Sequence, residues 1–497
     1  MSKNICTVNE LDLFEKPNIQ ASILSFKYHS ITPAVDYKSG DLPMYFKVGV
    51  SNNEYIDLTN IYLYVKCSIV KKSNTSTKLQ TSDNVGPINN LLHSLFSQVE
   101  VFLNHKSITT TTNYPYKAYF ENTLNFGHES KNTHLSSEFY FKDTAYEFNS
   151  TKLTRSITTK IERNPESAEQ TTQATETFNA RETVIEDQSS VQEEDVMEQD
   201  NNNASILDKK IINYVDAANQ SVNEGFKMRR SFFIGKSVEM YGKLHLDIFT
   251  TNKYLPNNVE LDIKLTKNLD SFLLMGANAA EFKVVISEIA FEVKKVELDS
   301  SVILAHKEVL EKGNYMRFPF TRVVVDSHLV NSGSQSVKLE DLCPVQICKR
   351  MIISLVKQSG FEGSNNNNPF YFEHFNCQNI SLTLDGNNIP YLPFEFDFDK
   401  NQFLRGYYTL FTGTGNTMDG NGITTDDYKK GFMMLCLDLS RDGCSIDDHR
   451  SLTRRGNLKL KIKFGSPLSE SINVIIYYEY DDEFQIAKFN NIIYEQK

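Results

Sequence analysis

Apolar and polar residues alternate with a period of two along much of the chain. In Val259–Leu265 the apolar side chains alternate with Glu, Asp and Lys, and in Asn457–Phe464 they alternate with lysines. This pattern predicts strands with one face in a core and one face in water, as in antiparallel sandwiches or barrels. The predicted strands are Met44–Val50, Ile61–Val70, Val99–Leu103, Val238–Ile248, Val259–Leu265, Lys283–Val296, Arg317–Val325, Arg350–Val356, Ile380–Leu384, Phe432–Leu439, Leu458–Phe464 and Asn473–Tyr480.

Few helices are predicted. Ser300 and Ser301 can cap one that runs to about Glu311. Pro115 can open a second, which ends before Gly127, and a third is expected over about 401–411. The expected inner faces are Val302, Ala305, Val309 and Leu310 in the first helix, and Tyr116, Tyr119, Phe120 and Leu124 in the second.

The order of these elements repeats within the chain. QVEVFLNHKSI (Gln98–Ile108) precedes a helix containing KAYF, and NISLTLDGNNI (Asn379–Ile389) precedes a helix containing RGYY. Five elements therefore recur in the same order, which indicates one all-β domain fused to a diverged copy, with the seam near Asp299–Glu311. The three further matches are Leu244–Ile248 with Leu435–Leu439, Asn258–Leu265 with Asn457–Phe464, and Ala290–Val293 with Tyr477–Tyr480.

The length of 497 residues fits two domains of about 200 residues each, with some length left over. We predict a first domain over 1–299 and a second over 300–497. About eight strands per copy, long connections and a helix after the fourth strand favour a jelly roll. An immunoglobulin-like sandwich is the alternative, although it usually needs only about 100 residues.

One stretch carries most of the net charge of −11. Residues 161–200 contain twelve acids and two arginines, so the rest of the chain is nearly neutral. This region, about 161–206, has few large apolar residues, and we predict a disordered insertion in the first domain. A surface loop is favoured over an acidic tail for basic partners such as histones. The short basic run Lys227–Arg230 is too small for a nucleic-acid groove, and an import signal is a minor alternative.

Local motifs for chemistry are weak. Cys343 and Cys348 lack a second close pair for zinc, since Cys436 and Cys444 are distant in sequence. The loop Thr417–Tyr428 has Asp419, Asn421 and Gly422 at calcium-loop positions, but it lacks the first and last acidic ligands and is expected to be a surface loop.

Glu100 and Glu292 are the strand carboxylates considered for a glycanase, which the absence of Trp disfavours. Signatures of hydrolases, nucleotide-binding loops and zinc proteases are absent from the sequence. We therefore predict no catalytic, cofactor-binding or metal-binding residues, and buried reduced thiols for the seven cysteines. The acidic start and the lack of long apolar runs predict a soluble protein without a signal peptide or membrane span.

Several long blocks resemble one protein family. They are Glu54–Lys66, Asn89–Ile108 with the following YPYKAYFENTLNF, Tyr241–Leu265, Asn368–Pro390, Leu410–Gly415 and Gly456–Ile486. The chain resembles major capsid proteins of Polinton/Maverick elements and adintovirus-like viruses, with the acidic insertion unmatched.

The resemblance implies a double jelly roll, two eight-stranded β-barrels in tandem with a few short helices in the loops, related to the adenovirus hexon. It also implies a non-enzymatic structural protein. Three chains would form a pseudo-hexameric capsomer of an icosahedral virion, assembled in the host cytoplasm or nucleus. Its partners would be further copies of itself and a penton or minor capsid protein at the vertices, without specific nucleic-acid binding. The alternatives are an acidic-tract β-barrel histone chaperone and a carbohydrate-active jelly-roll protein.

Overall fold

Eight main strands in the first half pair into two antiparallel sheets. The computed structural model describes residues 20–35, 43–49, 53–153, 158–163, 209–214, 222–446 and 449–495. The strand order is β1-β8-β3-β6 in one sheet and β2-β7-β4-β5 in the other. The strands are β1 (Ile23–Ile31), β2 (Met44–Val48), β3 (Glu54–Lys71), β4 (Phe96–Leu103), β5 (Lys106–Thr111), β6 (Val238–Gly242), β7 (Leu261–Lys267) and β8 (Phe282–Leu298).

Eight further strands repeat this arrangement in the second half. Their order is β9-β16-β11-β14 in one sheet and β10-β15-β12-β13 in the other, so each strand occupies the place of the strand eight numbers earlier. The strands are β9 (Met316–Val330), β10 (Ser336–Leu339), β11 (Arg350–Lys357), β12 (Cys377–Leu384), β13 (Asn387–Glu395), β14 (Met434–Asp438), β15 (Leu458–Phe464) and β16 (Ile472–Ile486). Two four-stranded sheets per half make a jelly roll. The molecule is a double jelly roll, and the immunoglobulin-like alternative is wrong.

The predicted alternation places the core residues. Leu261, Ile263 and Leu265 in β7 are fully buried, as are Leu458 and Leu460 in β15, while the residues between them are partly or fully exposed. These strands lie inside their sheets, so one face of each covers the barrel interior. The largest cluster of buried apolar residues extends continuously through both barrels.

Tight polar turns fix the equivalent hairpins β4–β5 and β12–β13. The two turn residues have positive φ in both hairpins, at Asn104 (46°) and His105 (64°) and again at Asp385 (51°) and Gly386 (87°). Positive φ at both central positions is the geometry that matches the twist of the flanking strands. The polar turns of the sequence repeat therefore have the same backbone geometry in both barrels.

Helices occupy the connections. The predicted second and third helices are confirmed, the latter beginning at Leu404. Those of nine residues or more are α1 (Tyr114–Asn125), α2 (Glu224–Phe233), α3 (Ser300–Glu311) and α4 (Leu404–Thr412). The shorter helices are Leu91–Ser94, His128–Asn132, Asp270–Leu273, Gln358–Glu362 and Thr425–Lys429, with 3-10 turns at His134–Glu138, Asp247–Thr250, Ala279–Glu281 and Lys488–Asn490.

Helix α3 differs from its prediction in two respects. Its cap is Asp299, whose side chain accepts a hydrogen bond from the Ser301 N–H, and neither Ser300 nor Ser301 is the capping residue. The predicted inner face is wrong at Ala305 and Val309, which are exposed. The helix has no fully buried residue because it connects the two barrels along the surface. Val302 and Ile303 pack on a small buried cluster, and His306 contacts Tyr55 of that cluster.

One of the five repeated elements is also assigned to the wrong partner. The sequence repeat matches Leu244–Ile248 with Leu435–Leu439, which lies in β14. In the structure, Leu244–Ile248 is not a strand but an irregular segment leading into a 3-10 turn. The structural equivalent of β14 is β6, which pairs with β3 as β14 pairs with β11. The alternating pattern of Leu244 and Leu246 arises because both side chains are buried without ladder pairing.

Short strands complete the fold. Gly86–Pro87 pairs with Leu274–Met275, Tyr254–Leu255 adds to β3, and Ile492–Ile493 adds to β16. Both barrels belong to one compact unit, formed by the described residues of 1–153 and 222–497. Within the described part of the chain, no helix is long and apolar enough to cross a membrane.

Residues 154–221 form a separate unit. In it, Thr158–Arg163 pairs with Lys209–Tyr214, so the first three residues of the predicted disordered insertion, Ile161 to Arg163, belong to a strand. The remainder of that prediction, 164–206, lies outside the described residues.

Candidate functional site

A cavity of about 780 Å³ lies between the two barrels, and we call it the inter-barrel cleft. From the first barrel it is lined by α1, by the end of β6 and by the irregular segment that follows β6. From the second barrel it is lined by residues of β9, β11 and β16. Its walls therefore combine helix α1, strand residues and connections of the first barrel with one sheet of the second.

Charged side chains join the barrels across this cleft. Asp247 forms a buried ion pair with Lys117 of α1 and also accepts a hydrogen bond from the backbone N–H of Val323 in β9, at 3.3 Å. The Tyr477 hydroxyl of β16 donates to Glu121 Oε1 of α1 at 3.2 Å. These contacts link the two barrels by polar groups that would be costly to leave unpaired.

The electrostatics of the cleft favour the ionised form of Glu121. Burial alone would raise the pKa of Glu121, but Lys117, His245 and Arg350 together lower it below its usual value. The Arg350 Nε donates to Glu479 Oε2 at 2.7 Å, and this carboxylate raises the pKa of the guanidinium against the opposing effect of burial. The named charges are thus paired with one another, which suits a joint between barrels.

Two histidines and a glutamate meet on the first-barrel side of the cleft. His93 Nε2 lies 3.0 Å from Glu138 Oε2, and the rings of His93 and His245 are 4.8 Å apart. One potential ligand atom from each of these three residues lies within 4.8 Å of the others. No sequence spacing could have indicated this cluster, because its members are brought together by three separate connections.

The cysteine pair considered from sequence does come together. A hydrogen bond from Cys348 lowers the pKa of the Cys343 thiol to about 7. The Tyr480 hydroxyl also donates to Cys343 Sγ at 3.4 Å. Among the described residues, neither these thiols nor Cys436 and Cys444 belong to a cluster with metal-ligand geometry. The pair is buried in the second barrel.

In the loop Thr417–Tyr428, which has calcium-ligand residue types at its centre, backbone carbonyls accept hydrogen bonds from lysines of the first barrel. The Lys142 Nζ donates to the Gly422 carbonyl at 2.9 Å, and Lys131 donates to the Asn421 carbonyl. Met418 is exposed, as expected of a surface loop, but Asn421 and Tyr428 are fully buried. The surface-loop prediction is therefore wrong at Asn421 and Tyr428. A lysine of the first barrel covers Asn421, and Phe403 and Tyr407 of the second barrel pack on Tyr428.

The remaining sequence candidates are separated. Glu100 in β4 pairs with Lys264, whereas Glu292 in β8 accepts a hydrogen bond from Tyr241, and the two carboxylates belong to different sheets. They therefore do not form a catalytic pair.

Half of the basic run Lys227–Arg230 is internal. Arg229 is fully buried, donating to Asp143 Oδ1 at 2.7 Å and to the Phe141 carbonyl at 2.8 Å. Arg230 is also buried, and it donates to the carbonyls of Thr81 and Asp83. The import-signal alternative is therefore disfavoured, since these side chains hold the first barrel together.

Two exposed apolar surfaces stand out. The first-barrel patch is the outward row Leu24, Phe26 and Tyr28 of β1, each at least half exposed. The second-barrel patch consists of Tyr391 and Leu392 in β13 with Leu404 and Tyr408 in α4, and Tyr391 is 80% exposed. Clusters of this kind on a soluble surface usually mark a site of association.

Comparisons with known proteins agree with this architecture. A family model described as "Double jelly roll-like domain" matches residues 238–465. An uncharacterized protein of Caenorhabditis elegans is 19% identical over 464 residues, covering 91% of this chain and 93% of that protein.

Solved structures from PBCV-1 and the Sputnik virophage share the fold. The Sputnik virophage structure matches at 9% identity and a TM-score of 0.55, covering 100% of this chain and 93% of that chain. PBCV-1 VP54, fitted into a reconstruction of Sputnik, matches at 9% identity and a TM-score of 0.52, covering 97% and 100%. The PBCV-1 virus capsid matches at 9% identity and a TM-score of 0.50, covering 97% and 100%. The chain therefore has the double jelly-roll fold, which it shares over nearly its whole length with these viral structures.

Proposed function

We propose that this protein is a major capsid protein that assembles as a homotrimer. The observation that carries the proposal is the likeness of both barrels together to the PBCV-1 capsid structure, over 97% of this chain. A domain with two similar barrels is suited to a shell, because three copies place six similar barrels around one axis. The Polinton/Maverick and adintovirus resemblance gives the proposed lineage, and the virion gives the proposed location.

The exposed apolar patches supply a self-association surface. In a closed three-fold ring, the first-barrel patch of one copy would contact the second-barrel patch of the next, so that both are covered in every subunit. Aromatic residues such as Phe26 and Tyr391 are typical of interface cores, and burying such clusters gives the largest contributions to affinity. Vertex partners would bind through loops.

Analytical ultracentrifugation at micromolar concentration tests the trimer. We expect a species of three times 56.9 kDa for the natural chain. The double variant Tyr391→Ser, Leu392→Ser should dissociate it, because both side chains are more than half exposed in the single chain. The control Phe489→Ser removes an equally exposed aromatic residue outside both patches and should remain trimeric.

Other outcomes separate the alternatives. A monomer that persists across salt and pH contradicts the capsid proposal, and glycan affinity in that monomer would favour a carbohydrate-binding protein. A pentamer that binds histones would favour the chaperone. Electron microscopy of the purified trimer should show a pseudo-hexagonal outline with six densities of similar size.

A further inference from the structure

The cluster of His93, Glu138 and His245 has the composition of a metal site. Its residues come from a short helix (Leu91–Ser94), the end of a 3-10 turn (His134–Glu138) and the segment after β6. Two imidazole nitrogens and one carboxylate oxygen suit zinc and other borderline divalent metals. His93 and Glu138 are buried, and His245 is partly buried, so bulk water does not compete freely for these groups.

The outer nitrogens of both imidazoles are held by hydrogen-bond partners. His245 Nδ1 lies 2.6 Å from Glu121 Oε2, and His93 Nδ1 lies 2.9 Å from the Tyr114 hydroxyl. The same Tyr114 oxygen accepts a hydrogen bond from the His245 backbone N–H at 3.1 Å. A carboxylate on the far ring nitrogen, as at His245, is a usual support of a metal-ligating histidine, since it fixes the ring and its tautomer. Both Nε2 atoms are thereby directed into the cluster.

Oxygen acceptors face both ring nitrogens of His245. The Asn122 amide nitrogen donates to Asn90 Oδ1 and to Glu138 Oε2, each at 3.0 Å, so its carbonyl oxygen faces His245 Nε2 at 2.9 Å. With Nδ1–H donated to Glu121, a neutral His245 has a lone pair at Nε2 facing that oxygen lone pair. Either a second proton on the ring or a bound cation relieves this contact.

The cluster is reachable from solvent. Glu138, Asn122 and His245 line the inter-barrel cleft, and the backbone of neighbouring Gly242 lies against Glu138. An ion can therefore enter through the cleft while the barrels remain folded.

We propose that His93, Glu138 and His245 bind one Zn²⁺ ion or a similar divalent transition metal, with the Asn122 carbonyl or a cleft water as the fourth ligand. This proposal goes beyond the capsid function and does not depend on it. The ion would tie three connections of the first barrel together where that barrel faces the second.

Isothermal titration of metal-free full-length protein with zinc chloride tests the site. We expect about one equivalent to bind, a higher melting temperature with zinc, and no comparable effect of magnesium, which prefers oxygen ligands. His245→Gln should lose saturable binding at micromolar zinc. Glu121→Gln keeps every direct ligand and should weaken binding by about 10- to 100-fold.

His105→Gln is the matched control. His105 belongs to a second group of potential metal ligands, together with Glu260 and Asp262, in which His105 and Glu260 are exposed. The substitution removes one ligand of that group and leaves His93, Glu138 and His245 intact. We expect His105→Gln to bind zinc as the natural chain does. The proposal is overturned if the natural chain binds no zinc, if His245→Gln binds it equally well while remaining folded by circular dichroism, or if His105→Gln abolishes binding. If His245→Gln does not fold, an unchanged affinity in Glu121→Gln would count against the site.

Discussion

At the scale of single residues, buried charge decides which polar side chains are structural. Arg229 and Lys131 look in the sequence like ordinary surface residues, yet both are buried. Arg229 has a carboxylate partner, Asp143, at 2.7 Å. The Lys131 ammonium instead donates to two backbone carbonyls, those of Thr123 at 2.5 Å and of Asn421. Carbonyls satisfy its hydrogen bonds but leave its charge without a counterion in contact, so the charged form is disfavoured.

This environment predicts a pH-dependent stability. Burial and the nearby Lys142 lower the pKa of Lys131 to about 7, with Asp427 opposing them. Between pH 7 and its ordinary value near 10.5, the unfolded chain binds more protons at this group than the folded chain does. The free energy of unfolding should therefore rise with pH, by up to about 1.4 kcal/mol per pH unit from this residue.

Urea denaturation of the natural chain and of Lys131→Met at pH 7, 8 and 9 tests this contribution. It is measured as the difference in the free energy of unfolding between the two proteins at each pH. The stability of the natural chain relative to the variant should increase with pH. Lys152→Met, at an exposed position, is the control and should follow the natural chain. A constant difference between the natural chain and Lys131→Met at all three pH values would contradict the assignment.

At the scale of elements, the strands missed from the sequence share a location. Among the sixteen main strands, the four without a sequence prediction, β1, β5, β10 and β13, all lie at sheet edges. An edge strand has one unpaired side and less buried surface, so its sequence does not need strict alternation. In β10 no residue is fully buried, and in β13 only Phe394 is. The interior strands were found because burial on one face enforces the period of two.

Helix α1 shows how one element joins the barrels. Its aromatic residues were predicted to face inward, and the structure places them against the connection between β11 and β12 of the other barrel. Tyr119 stacks on Phe370 with ring centroids 4.1 Å apart, Tyr116 stacks on Phe361 at 5.5 Å, and these two tyrosines are buried.

Truncating this contact should therefore weaken both barrels. Phe370→Ala should lower the free energy of unfolding by about 3–5 kcal/mol, because the ring is fully buried and leaves a cavity. Phe489→Ala, at an exposed aromatic residue, should change it by no more than about 0.5 kcal/mol. Chemical denaturation followed by circular dichroism measures both, and similar losses in the two variants would contradict a joining role for the α1 aromatic cluster.

At the scale of the whole molecule, the two barrels share one compact unit, whereas residues 154–221 form another. The last pair of its hairpin, Arg163 with Lys209, brings together the two ends of the segment 164–208. A short turn can therefore replace that segment without moving either strand.

Replacing residues 164–208 by an Asn-Gly turn should leave the melting temperature nearly unchanged, since the segment has few apolar residues to bury. The replacement removes twelve acids and one arginine, so weaker retention on an anion exchanger confirms that the segment is absent from the variant. Differential scanning calorimetry measures the stability, and a decrease of more than about ten degrees would show that the segment packs on the barrels.

The sequence by itself determined the interior strands, the positions of three helices and the duplication, because periodic burial and turn geometry are local and leave a local pattern. The domain boundary at residue 299 remains a prediction. Tertiary structure alone decided that Leu244–Ile248 is not a strand, that Asn421 and Tyr428 are buried, and that His93, Glu138 and His245 meet. These features depend on contacts between connections far apart in sequence, and the residues of such contacts follow no period along the chain.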